Sequence, residues 1–78
     1  MPDRTAEEWI RDLAAQLDVE PPNASEQAEI LDLAGVAAHA SERTAAPLSC
    51  WLVARAGLTP ASGLALARQL AEENGAQA

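Results

Sequence analysis

One short segment gathers most of the chemistry this chain could perform. HASERTAAPLSCWL, residues 39 to 52, holds the only histidine and the only cysteine of the 78 residues, with one of the five arginines and one of the two tryptophans. His39 and Arg43 stand four positions apart, so on a helix their imidazole and guanidinium share a face. Such a pair can receive a carboxylate or a phosphate, the guanidinium through its planar fork of donors. General-base catalysis asks for more: a carboxylate that orients the imidazole and a nucleophile within hydrogen-bond reach. Asp32 lies two turns away along the helix, too far to touch His39, and Glu42 would need an awkward side-chain path. Cys50 could form a thiolate pair with His39 only if the chain turned back at Pro47. With Trp51 and Leu52 beside it, Cys50 reads as a small buried hydrophobe. One histidine and one cysteine are too few for a structural zinc site. No catalytic residue, metal-ligand set or cofactor is assigned, and a chain without lysine excludes Schiff-base and phosphate-loop lysine chemistry.

The helix that must carry His39 has two sides. At about 100° per residue, Ile30, Ala34, Ala37 and Ser41 centre the apolar face, and His39 falls about 180° from Ile30. Asp32 and Arg43 lie within about 40° of His39, with Val36 beside them. Asp32, Val36, His39 and Arg43 therefore form a second stripe opposite the core. Either these side chains are simply solvated, with His39 and Arg43 favoured near a helix C-terminus by the dipole, or they frame a surface for a ligand or partner. Trp51 either covers an alanine-rich seam or joins that surface as an anchor. The candidate binding set is Asp32, Val36, His39, Arg43 and Trp51, with Pro47 as a structural corner.

The surrounding pattern predicts an all-α domain over residues 1–78, a compact bundle of about four short helices near 6–17, 24–43, 47–56 and 60–73. Thr5 with Glu8 and Asn23 with Glu26 are capping-box signals, Ser25 is a competing cap, and Thr59-Pro60 is a cap followed by proline at the first helical position. Pro21-Pro22 enforces an extended connector. Pro47 is expected near the first position of the third helix, Gly57 at its end, and Asn74-Gly75 at the end of the fourth. Gly35 is either a soft spot in its helix or a point of close backbone approach, and Gly63 poses the same choice. With no Phe or Tyr, the expected core leans on Trp9, Leu13, Leu17, Ile30, Leu33, Leu48, Leu52, Leu64 and Leu70.

The net charge of −7 is unevenly placed. Residues 1 to 32 carry nine carboxylates against Arg4 and Arg11, while residues 33 to 78 balance three carboxylates with three arginines. No basic stripe exists to neutralise phosphates or anionic lipid, which argues against nucleic acid and membrane surfaces. The acid either keeps an Ala/Leu-rich chain soluble or steers a basic protein partner. No apolar run approaches membrane-spanning length and no secretory segment is recognisable, so cytoplasmic placement is the expectation.

EEWIRDLAAQLDV (7 to 19), LDLAGVAAHASERTAAPLSCWLVARAG (31 to 57) and the closing Ala/Leu helix together resemble a small actinobacterial family of unknown function. Its members occur alone or as a tail on a molybdenum cofactor guanylyltransferase. LDLA followed by AAH, Arg43 and Ala45-Ala46-Pro47-Leu48 carries most of the likeness. Ser49 and Cys50 stand where family members have small hydroxyl residues. The resemblance implies a non-catalytic accessory role around molybdenum cofactor maturation, with a protein partner such as a molybdenum cofactor enzyme, and it points to His39, Arg43 and Pro47 as the positions to test. Two alternatives remain open. One is a small-ligand or nucleotide-anion binder using His39 and Arg43. The other is a homodimer whose alanine face completes a thin core.

Overall fold

The computed structural model describes residues 4–77, with side chains described to Glu73. Four helices follow in order: α1 (Ala6–Leu17), α2 (Ala24–Ala40), α3 (Ala45–Arg55) and α4 (Pro60–Gln77). The architecture is an all-α bundle, with no strand among the described residues.

The helix starts follow local chemistry. The Glu8 amide donates to Thr5 Oγ1 at 3.1 Å, and the Thr5 amide donates to Glu8 Oε1 at 2.8 Å, closing a reciprocal capping box. Asn23 and Glu26 repeat this at α2, so Asn23 rather than Ser25 is the cap. Thr59 Oγ1 accepts from the Ser62 amide at 3.1 Å, and Pro60 opens α4. Gly57 stops α3 at φ +77°, with the Leu58 amide reaching back to the Val53 carbonyl. Asp18 does the same for α1 at φ 57°, the Val19 amide donating to the Ala14 carbonyl at 3.0 Å.

The break between α2 and α3 departs from expectation. α2 ends at Ala40, not Arg43, and Ser41 leaves helical space at φ −132°, ψ −101°. Pro47 is the cause we assign. In a continuous helix its ring would strike the carbonyl four residues earlier, which belongs to Arg43. The chain turns there instead, and the Arg43 carbonyl accepts from the Ala46 amide at 3.2 Å. α3 then starts at Ala45, which makes Pro47 its third residue rather than its first. That position tolerates proline because the first helical amides need no intrahelical partner. At the other end, α4 runs through Asn74-Gly75 to Gln77. Both residues cost some helix propensity, but neither forbids helical dihedrals.

Packing departs further. Leu33, at 2% exposure, is buried together with Leu64 and Ala14, and Ile30 is half-buried. Trp9, Leu13, Leu17, Leu48, Leu52 and Leu70, all expected in the core, are exposed instead. Two physical causes account for most of this. First, α2 packs against both α3 and α4, while no residue of α1 comes within 8 Å of another helix, Cα to Cα. The Pro21-Pro22 connector cannot continue the helix and so separates α1 from α2 along the chain. Second, α3 meets the bundle with its small side. Ala45, Ala46, Ser49, Cys50 and Val53 are half-buried, as are Ala34, Gly35, Val36, Ala37 and Ala38 of α2. Small residues let the two backbones close up, which turns Leu48, Trp51 and Leu52 outward. Cys50 is accordingly half-buried rather than fully buried.

The four helices form a small compact bundle, somewhat more open than an ideal globule. Its radius of gyration is 13.9 Å, against about 11.5 Å for a globule of this length.

Candidate functional site

Each residue of the stripe on α2 meets a different fate. Asp32 faces α4, where its Oδ2 lies 3.9 Å from Arg68 Nη2 in a solvent-exposed pair. Val36 is half-buried. His39 is exposed in the last turn of α2, and Arg43 is exposed in the turn that follows. Because the helix ends at Ala40, the projection that aligned Arg43 with His39 does not extend to Arg43. Glu42, beside it, accepts from the Thr44 hydroxyl at 3.3 Å. Trp51 projects from the outward side of α3 at 62% exposure. The five candidates thus lie on two helices and one turn. Pro47, expected at the corner, is the third residue of α3, and the turn itself spans residues 41–44.

Among the described residues no three His, Cys, Asp or Glu side chains gather closely enough to hold a metal ion. No described helix is long and apolar enough to cross a membrane. The Glu8 carboxyl is held below its ordinary range by the Thr5 backbone amide and then the Thr5 hydroxyl, a helix-capping arrangement rather than a catalytic one.

A different surface stands out once burial is known. Trp9, Ile10, Leu13 and Leu17 recur at three- and four-residue spacing on α1, and every one is exposed. Arg11 pairs with Glu7 at 3.6 Å, and Arg4 with Asp12 at 3.2 Å. α1 is therefore an amphipathic helix whose large apolar residues stay open although its Ala14 is buried. Between α1 and α2 runs a groove of about 400 Å³, lined chiefly by Ile10, Ile30, Leu31 and Pro22, with Glu7 and Gln27 among its polar walls. Gln27 is fixed there by its Nε2, which donates to the Pro22 carbonyl at 3.1 Å. On α3, Leu48, Trp51 and Leu52 form an exposed ridge.

These surfaces are not visible to a pattern that equates large apolar residues with core. Two signals do bear on them: a proline pair that separates α1 from the rest, and a small-residue face on α3 that competes with its leucine face.

A family model described as "Domain of unknown function (DUF6457)" matches residues 1–78. No curated protein and no solved structure matches the chain.

Proposed function

Because the chain belongs to this family of unknown function, we propose from its surface that it is a non-catalytic accessory module that works by binding another protein. The observation that carries the reading is the inversion of the usual burial order. Trp9, Trp51, Leu17 and Leu48 are all more than half exposed, whereas small residues line the α2–α3 contact. Monomeric proteins rarely leave contiguous large apolar side chains in water, and such patches mark interaction surfaces. Tryptophan is also the residue type most enriched among interface anchors.

We further propose that one partner is an enzyme of molybdenum cofactor maturation, the guanylyltransferase first. The support is the sequence resemblance over residues 7–19 and 31–57. His39 and Arg43, exposed at the end of α2 and in the turn that follows, are the polar side chains offered to that partner. The cytoplasm is the proposed location, where a lone thiol needs no disulfide partner.

The test is a two-protein titration of the full chain against the guanylyltransferase of its own organism. Saturable binding that weakens with Trp51→Ala supports the reading. Absence of binding to that enzyme, together with none to other molybdenum cofactor enzymes, overturns the assignment of the partner.

A further inference from the structure

We propose that the groove between α1 and α2 receives the α3 ridge of a second copy of this chain, forming a two-fold pair. The inference rests on the reading that the outward apolar faces are interfaces, and it names what covers two of them.

Area is the first argument. The chain exposes 6274 Å², where a folded monomer of its size exposes about 4,500 Å². The excess is about 1,800 Å² per chain, or about 3,600 Å² for two. Obligate homodimer interfaces bury about 2,000–5,000 Å² in total. A second copy is of a size to cover surface of that order, whereas a short peptide would leave most of it in water.

Shape and connectivity come next. The groove is concave and mainly apolar, walled by Ile10, Pro22, Ile30 and Leu31. The ridge of Leu48, Trp51 and Leu52 is convex and exposed. Within one chain the two do not meet, since α1 has no Cα within 8 Å of α3. A two-fold axis lets each copy give one ridge and one groove, so both contacts form and the assembly closes.

Charge selects this pairing over α1 against α1. α1 carries Glu7, Glu8 and Asp12 against Arg11, so two α1 helices face to face would oppose like charges. α3 contains no carboxylate and ends at Arg55. Glu7 at the groove wall would then meet a neutral-to-basic helix.

The experiment is sedimentation of the full chain across the micromolar range, with tryptophan emission followed in the same samples. Trp9 and Trp51 are the only tryptophans; Trp51 stands on the ridge and reports its burial, while Trp9 lies on α1 outside the groove lining. The expected result is a doubling of mass accompanied by a blue shift at the same concentration. Ile10→Asp in the groove and Leu52→Asp on the ridge should each give a monomer. Both positions are exposed, and unchanged helical circular dichroism confirms folding. An equimolar mixture of the two variants should recover a weaker dimer, because one intact groove still meets one intact ridge. A mixture of folded variants that stays monomeric overturns the groove–ridge pairing. So does a mass that rises without limit, because it contradicts closure. A wild-type monomer at every concentration overturns the second copy as occupant. If its tryptophans remain open to a soluble quencher, the partner-binding reading stands; if they are shielded, that reading falls too.

Discussion

Gly63 of α4 lies directly against Val53 of α3: a Cβ added at position 63 would sit 2.7 Å from Val53 Cγ2 and would also strike Cγ1. The two helices share little other contact. Gly63 is buried and Val53 half-buried, so the clash has little room to relax. Gly63→Ala should therefore lower stability by about 1–3 kcal/mol through overpacking. Val53→Ala in the same chain should recover part of that loss. Urea midpoints at constant slope measure both, and additivity of the two substitutions would contradict a direct contact.

Gly35 behaves oppositely. Nothing lies within 4 Å of a Cβ built there, and its backbone is helical. Of the two roles the sequence allowed, soft spot and close approach, the structure supports the first at Gly35 and the second at Gly63. Gly35→Ala should raise stability by about 0.5–1 kcal/mol. An unchanged or lower urea midpoint would contradict this placement.

Among the described residues Leu33 is the one large side chain that is fully buried. Leu33→Ala should cost about 2–5 kcal/mol, enough to unfold a domain with so thin a core. Leu66→Ala, at an exposed position of α4, should change stability by less than about 0.5 kcal/mol. Thermal melts of the two variants separate them, and similar losses would contradict the burial pattern.

The Thr5–Glu8 capping box gives a pH dependence of known sign. The Thr5 amide and hydroxyl hold the Glu8 carboxyl below its ordinary value of 4.5. A carboxyl with a lowered folded-state pKa binds its proton less readily than in the unfolded chain. Its stabilisation is complete above pH 4.5 and is lost as pH falls through the lowered value. Helicity at the start of α1 should decline over that window, and Glu8→Gln should flatten the decline, since glutamine can still bond the Thr5 amide. A pH profile unchanged by Glu8→Gln would remove the capping box as its source.

The sequence was most legible where the physics is local. Thr5, Asn23 and Thr59-Pro60 mark helix starts because a cap involves only the next three residues. Gly57 marks an end because its left-handed backbone is a property of one residue. The α2 terminus was misplaced by three residues because Pro47 acts at a distance, on the carbonyl of Arg43. The core was less legible, because size and helical spacing mark an apolar stripe without showing what packs on it. Trp9 and Leu13 have the spacing of a buried stripe, but spacing cannot say whether another helix lies opposite. Leu48 and Leu52 lost the inward place on α3 to Ala46, Ser49 and Cys50, a choice set by the small face of α2. For the candidate site, His39 was readable as an exposed residue of the last turn. The pairing of Asp32 with Arg68 was not, because it depends on how α4 crosses α2.

The central claim is that the large apolar faces of α1 and α3 are open in the lone chain and become covered by a protein. Acrylamide quenching of Trp9 and Trp51 tests it most directly. In dilute protein both indoles should be quenched readily, as their 54% and 62% exposures require; a second copy should shield Trp51 on the α3 ridge, and another partner should shield the face it covers. Tryptophans already shielded at the lowest concentration, with the chain monomeric by sedimentation, would contradict the account.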